Sequence, residues 1–338
     1  MGRVSQPVTN VDRPGTGFSR RALGRMAAGA LVLARGAQAS VCAPAPNVAD
    51  WQPLAVGPGV WRFAAARGRT NADNGGRVTQ LVLVGDESRL WLIGSGPSPA
   101  DGRRLRCTIE RELGRAVTDV VNTRAHPELA LGNVAFDGAR LWALPDVAAA
   151  MRKRCASCVD ALKTQLGAGA APLDGGDVRA PTHAIGHHGD RIGRLGPFTW
   201  AAWPRAPGDR ALVLWLQSRR LVIAQGWVWA GALPDLRETR LGEMQAGLSR
   251  LEVLVRDHHL LGEQGDIADR HEVAHHRAYL GALRRQVEAA LRRGGDVESV
   301  LAHPFAHDYL RIREDAVQHT LNVQRAWLDL EEGWFRRR

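Results

Sequence analysis

Lysine is almost missing from this 338-residue chain: Lys153 and Lys163 stand alone in a combined Lys and Arg count of 45. The formal net charge of +10 therefore rests on arginine. No run of arginines is interleaved with aromatics at a spacing that reads bases or tracks a phosphate backbone, which sets nucleic-acid binding aside. The Arg-heavy, Ala/Gly-rich composition reflects the bias of a GC-rich coding sequence instead. Beyond the N-terminal region no apolar run approaches the roughly 20 residues of a membrane-spanning helix, so no membrane span is expected. Cysteine is scarce, at four residues. One C-x-x-C occurs without a second, which excludes the paired-motif zinc site built from four thiolates. No internal repeat of fixed period is present.

The N-terminus carries a pattern of its own. Ser19-Arg20-Arg21-Ala22-Leu23-Gly24 precedes a weakly apolar stretch from Met26 to Ala34, and Ala37-Gln38-Ala39 then offers an A-x-A cleavage site. These parts, in this order, read as a twin-arginine signal peptide over residues 1–39. That route exports folded proteins, so the mature chain is expected in the periplasm. Arg3, Arg13, Arg20, Arg21, Arg25 and Arg35 leave with the signal against the single acid Asp12, removing about half of the excess charge. Cys42 follows Val41, which is not the small residue a lipidation site needs.

Residues 40–58 are Pro- and Ala-rich and read as an extended lead-in. Apolar alternation and short apolar runs predict strands at Gly59–Ala64, Val78–Val84, Arg89–Ile93, Asp119–Asn122 and Ala139–Ala143. Helices are predicted at Arg103–Leu113 and Val147–Leu166, the second closed by Gly167. Residues 168–198 lack clear periodicity. Strands resume at Thr199–Trp203, Leu212–Leu216 and Leu221–Ile223, followed by a helix over Leu241–Val255. From Asp269 the chain reads as helical, with Val273, Leu280, Leu283, Val287 and Leu291 on one face and Gly294-Gly295 as its stop. This order of strands and helices suits a layered α/β domain with helices packed outside paired sheets.

Between Asn122 and Phe136 the chain reads N-T-R-A-H-P-E-L-A-L-G-N-V-A-F. The segment resembles the metal-binding loop of the metallo-β-lactamase superfamily, in which Asn-Thr leads into H-x-H-x-D-H and then Gly-Asn. Arg124 stands at the first His, His126 is kept, Glu128 replaces the Asp, and Leu129 replaces the last His. The other superfamily motifs are damaged in the same way. The I-D-x-G strand end reads Ile93-Gly94-Ser95-Gly96, with Gly94 at the buttressing Asp. The G-H-x-x-G-D segment reads Pro204-Arg205-Ala206-Pro207-Gly208-Asp209, with Arg205 at the ligand His. The F-x-G-D turn reads Ile223-Ala224-Gln225-Gly226, with Gly226 at the bridging Asp. The final P-G-H-G reads Leu261-Gly262-Glu263-Gln264-Gly265, where Glu263 or Gln264 covers the His.

The similarity extends from about Val60 to Gly265. Together with His319–Glu331, it is nearest to the quinoprotein relay system zinc metallohydrolases, which accompany pyrroloquinoline-quinone-dependent dehydrogenases. The resemblance implies an αβ/βα four-layer sandwich over residues 59–268, followed by a C-terminal helical segment, 269–338, packing on it. Zinc in such a fold needs three or four N/O ligands and a bound water. Arg cannot ligate a cation and Leu has no donor. The expectation is a metal-free pseudoenzyme with a degenerate cleft of Arg124, His126, Glu128, Arg205, Asp209, Glu263 and Gln264. Two guanidiniums would stand where a dication sits, paired with acids such as Glu128 or Glu263. The implied partners are a quinone-dependent dehydrogenase system or a small anionic ligand. The alternative is a zinc hydrolase with ligands drawn from His126, Glu128, Asp209, Glu263 and the His258/His259 pair.

Other signals compete. His271-Glu272-Val273-Ala274-His275 matches the H-E-x-x-H of zinc peptidases. Its charged neighbours Asp269, Arg270, His276 and Arg277 favour a solvated helix start. His183, His187 and His188 lack a complete ligand set. Cys155 and Cys158 are candidates for a local disulfide in an oxidising compartment, while Cys42 and Cys107 either pair or stay reduced. Trp200, Trp203, Trp215, Trp227 and Trp229 gather near the altered ligand segments. Sandwich packing is the weightier reading for them, with stacking on a planar ligand such as a quinone as the alternative.

Overall fold

A computed structural model describes residues 50–174 and 178–335 of the chain. The expected signal peptide and Cys42 lie outside them. Seven strands form the first sheet in chain order: β1 (Pro53–Gly57), β2 (Val60–Phe63), β3 (Leu81–Gly85), β4 (Leu90–Ile93), β5 (Asp119–Val121), β6 (Arg140–Ala143) and β7 (His183–Ala184). The first four pair antiparallel, and β4 to β7 run parallel. β1 falls inside the stretch read as a lead-in, yet it hydrogen-bonds to β2 as an edge strand.

The second sheet contains β8 (Ile192–Leu195), β9 (Phe198–Ala206), β10 (Asp209–Leu216), β11 (Leu221–Ile223) and β12 (His259–Leu261), in the order β12-β11-β10-β9-β8. Only the β11–β12 pair is parallel among them.

Side-chain alternation along the strands assigns the layers. Leu81 and Leu83 of β3 pack with Leu105 and Ile109 of α1 (Pro99–Leu113) on the outer face of the first sheet. Val82 and Val84 point the other way, against Phe198, Trp200, Leu212 and Leu214 between the sheets. Ala211 and Val213 of β10 then face outward onto a third cluster. It draws Leu248 and Leu251 from α4 (Leu241–Leu254), Leu280 and Leu283 from α5 (Arg270–Arg292), and Val323 from α7 (Asp315–Phe335). The order is helix, sheet, sheet, helix: a mixed α/β four-layer sandwich. Each fully buried Leu or Val contributes roughly 1.5–3 kcal/mol to holding these layers together. The C-terminal helices thus form the outer layer over the second sheet. Among the described residues no helix is long and apolar enough to cross a membrane.

Helix ends follow local chemistry. α1 begins at Pro99, earlier than periodicity predicts, because Ser98 accepts a hydrogen bond from the Asp101 amide and proline suits the first helical position. α3 (Pro145–Leu166) also opens on proline. It carries the C-x-x-C well inside its length, and the disulfide expected there is not the one found. Cys158 keeps its thiol, and Cys107 on α1 is disulfide-bonded. In a helix interior, Cβ atoms three residues apart lie roughly 5–6 Å from each other. A disulfide spans about 3.5–4.5 Å between Cβ atoms. Two shorter helices, α2 (Pro127–Ala130) and α6 (Val297–Leu301), complete the described set.

The parallel strands set the position of the site. β4, β5, β11 and β12 end at Ile93, Val121, Ile223 and Leu261, and the segments leaving these carboxyl ends carry Gly94, Arg124, Gly226 and Glu263. Such ends are where open α/β sheets place ligand sites.

Candidate functional site

The letters retained in the loop after β5 hold its shape. Asn122 and Asn133 exchange amide hydrogen bonds of 3.2 and 2.7 Å, and Ser95 donates to Asn133 Oδ1 at 2.8 Å. A Cβ on Gly132 would run into the Ser95 carbonyl oxygen. Thr123 donates to Gln225 Oε1 at 2.8 Å, tying this loop to the turn after β11. These residues form a scaffold that asks nothing of a metal.

Charged side chains meet at these strand ends. Arg124 meets Glu263 as a buried, bidentate pair, with Nη1–Oε2 at 2.8 Å and Nη2–Oε1 at 2.7 Å. The same carboxylate accepts from Thr79 Oγ1 at 2.5 Å and from the Gly226 amide at 2.7 Å. Burial opposes the charge on Glu263, but Arg124 outweighs it and holds the carboxyl below its ordinary range. Arg124 is likewise held more firmly protonated by Glu263, against its own burial. Gln264, the other candidate for the final motif, turns away from this pair. Its amide accepts from the Gly68 amide and donates to the Gly68 and Val78 carbonyls, pinning the segment before β3.

Glu128 does not pair with either arginine. It faces His126, with Nδ1–Oε2 at 2.6 Å, and its second oxygen accepts from Thr70 at 2.8 Å. On the other side His126 Nε2 lies 3.3 Å from Glu238. Burial lowers the proton affinity of the imidazole, but Glu128 and then Glu238 outweigh it and push the pKa up to about 9. Glu128 is drawn down to about 2, its burial overcome by His126. At neutral pH His126 is therefore an imidazolium whose two N–H groups face carboxylates. In that form it offers no lone pair to a cation, which would have to displace a proton to bind.

Arg205, at the end of β9, is equally buried. Its Nε donates to Thr239 at 2.8 Å, while Nη1 is enclosed without a hydrogen-bond partner. Burial and the neighbouring Arg124 both lower its proton affinity. The two arginines crowd Gly226: a Cβ there would lie 2.5 Å from Arg124 Nη1 and 2.7 Å from Arg205 Nη1. Gly226 also has φ +79°, a region that disfavours any residue with a side chain. Gly94 repeats this logic, since its Cβ would meet Leu129 Cδ1 at 2.5 Å and Leu81 Cδ2 at 2.7 Å.

Asp209 does not join the cleft. It starts β10 beyond the hairpin turn and lines a separate depression with Asp146 and Arg210. His259 starts β12 at the end opposite Glu263, and His258 bonds to Gln217. His183, His187 and His188 are exposed. Among the described residues no group of three or more His, Cys, Asp or Glu could hold a metal ion. The residue missed in the sequence is Glu238, on the irregular segment between β11 and α4, where no periodicity or motif marks it. Thr70, Thr79 and Thr239 escaped for the same reason.

H-E-x-x-H opens α5 behind the Asp269 cap, whose side chain accepts from the His271 and Glu272 amides. Arg311 holds both oxygens of Glu272, at 2.8 and 2.7 Å. The buried histidine of this turn is His276, which accepts from the Trp229 amide at 3.1 Å and is driven down to about 3 by burial. The motif docks a helix and leaves no carboxylate free to activate water. Most of the tryptophans pack layers: Trp227 sits edge-on to Trp203, with centroids 5.6 Å apart, and only Trp229 of the five lines the cleft.

Two sheets back to back, helices outside them, and a site at the strand ends define the metallo-β-lactamase fold. Solved structures agree. The chain is similar to the metallo-β-lactamase FIM-1 from Pseudomonas aeruginosa, described in a mono-zinc form, at 12% identity and TM-score 0.56, covering 70% of this chain and 97% of that one. It is also similar to metallo-β-lactamases from Erythrobacter litoralis (12%, TM-score 0.55, 70% and 98%) and Hirschia baltica (11%, TM-score 0.53, 69% and 98%). No protein-family model and no curated relative matches the sequence. The fold implies zinc, but the donors present do not fit it. The cleft offers two guanidiniums, an imidazolium flanked by the carboxylates of Glu128 and Glu238, and a third carboxylate already filled by four donors.

Proposed function

We propose that this protein is a metal-free, non-catalytic relative of the metallo-β-lactamase-fold hydrolases. It is exported by the twin-arginine route and works in the periplasm as an accessory or binding protein beside a quinone-dependent dehydrogenase. The observation that carries the metal-free reading is the Arg124–Glu263 pair, which links the loops after β5 and β12 where ligands would otherwise converge. The export and dehydrogenase parts rest on the signal motif and on the resemblance carried by the ligand segments and His319–Glu331. The zinc-hydrolase reading draws support from the fold and its zinc-bearing neighbour.

Elemental analysis of the purified mature protein tests the proposal, together with turnover of β-lactam, ester and thioester probes. No stoichiometric metal and no turnover are expected. One equivalent of zinc, lost in His126→Ala along with a chelator-sensitive activity, would overturn it.

A further inference from the structure

One buried cation in the cleft lacks the counter-ion that its neighbours have. Arg124 is neutralised by Glu263, and His126 by Glu128. Arg205 has only 3% of its surface exposed and makes no direct ion pair among the described residues, although Glu238, Asp209 and Glu263 act on it at longer range. Thr239 satisfies Nε, and Nη1 is left without a partner. A guanidinium removed from water without a counter-ion is costly, and its planar fork matches a carboxylate. It borders a cavity of about 50 Å³, shared with Arg124, His126 and Arg237 and with the acids Asp235, Glu238 and Glu263. The cavity has room for a group of a few atoms.

The rim carries a second clue. Glu238 adjoins Thr239 in sequence, and its side chain is 43% exposed with one oxygen 3.3 Å from His126 Nε2. It reaches the same cavity from the solvent side. Its half-exposed carboxylate is one that solvent can readily draw away.

We infer that this cavity is an anion site, in which Arg205 takes the carboxylate of a small organic acid while Glu238 competes for the same positive field from the rim. This deepens the metal-free reading and rests on it, because a bound dication would place its own charge beside Arg205. The carboxylate is preferred over a tetrahedral oxyanion because the cavity has room for only a few atoms.

The test is thermal unfolding of the mature chain titrated with sodium acetate, sodium phosphate and sodium chloride at constant ionic strength. Acetate should raise the melting temperature saturably and at lower concentration than the other two. In Arg205→Met the acetate affinity should fall by about tenfold or more, as expected when charge-assisted hydrogen bonds are lost. In Glu238→Gln it should rise several-fold. Equal, non-saturating responses to all three salts would overturn the proposal, and phosphate binding ahead of acetate would overturn the carboxylate assignment. If Arg205→Met does not fold, the Glu238→Gln titration decides: an unchanged acetate affinity there overturns the site. Zinc content measured on the same sample separates the two readings. Stoichiometric zinc sinks the metal-free proposal, whereas zinc-free protein without saturable acetate binding sinks this one alone.

Discussion

Replacing Glu263 by Gln tests the charge pairing of the cleft most directly. The two carboxylate oxygens take four donors: both terminal nitrogens of Arg124, the Thr79 hydroxyl and the Gly226 amide. Gln offers one oxygen, and its amide nitrogen would face donors where an acceptor stood. Arg124 would also remain buried without its counter-charge, beside the unpaired Arg205. Removing one partner of a buried pair costs about 3–5 kcal/mol. For a domain of this size, about 2–4 °C accompanies each kcal/mol, so the melting temperature should fall on the order of 10 °C. Urea unfolding at equilibrium measures the change, with an unaltered slope showing that stability alone has moved. Arg124→Met combined with Glu263→Met should cost much less than either single change, because no charge is left stranded. A loss below about 1 kcal/mol for Glu263→Gln, or a double variant costing the sum of the singles, would refute the reasoning.

The His126–Glu128 pair should shape the pH dependence of stability. His126 is raised from 6.5 to about 9, so its contribution is complete below 6.5 and is lost as pH climbs through 9. Glu128 is lowered from 4.5 to about 2, so its contribution is complete above 4.5 and is lost as pH falls toward 2. Chemical unfolding across pH should therefore show an alkaline decline on the order of 3 kcal/mol that His126→Gln largely removes; parallel alkaline limbs in the two proteins would argue against the pairing. Gly94→Ala should destabilise by about 2 kcal/mol or more, through its φ of +82° and the crowding of Leu129. Adding Leu129→Ala should relieve the crowding, making the double variant at least about 1 kcal/mol more stable than the summed single effects; strict additivity would show that the two residues do not compete for space.

Much of the sandwich was legible because its strands are short apolar runs and its long helices keep a clean apolar face. The helix starts were read late where proline and a capping serine, rather than apolar periodicity, set the boundary at Ser98-Pro99. In the cleft, sequence reasoning brought together Arg124, His126, Glu128, Arg205, Glu263 and Gln264, all of which border it or its supporting loops. It misplaced Asp209, because residues 204–210 form a tight hairpin that puts Arg205 and Asp209 on opposite strands. Of the two acids named as partners for the guanidiniums, Glu263 does pair with Arg124, whereas Glu128 turns to His126. Arg124 and Glu263 lie 139 positions apart, and no local pattern can say which of two acids a guanidinium will reach. Glu238 was invisible because an acid on an irregular loop resembles any solvated acid until the fold folds it over a histidine.

The energetics separate what orders the cleft from what occupies it. A buried ion pair recovers little net energy over an apolar pair of the same shape, since each charge must first be taken out of water. Arg124–Glu263 therefore cannot by itself hold three loops in register as a metal would. The neutral network does that. Gln225 accepts from Thr123 and donates to the Gln80 carbonyl at 2.7 Å, Gln264 clasps Gly68 and Val78, and Asn133 donates to the Arg179 carbonyl at 2.9 Å. With the loops already fixed, the charges are free to specify rather than to stabilise: either acid or base removed alone is penalised, while a matched removal is tolerated. Gly226 and Gly94 fit the same account, because each supplies the volume that neighbouring side chains fill. Arg205 makes no direct ion pair among the described residues, and a buried guanidinium nitrogen left without a partner is where a ligand has the most to gain.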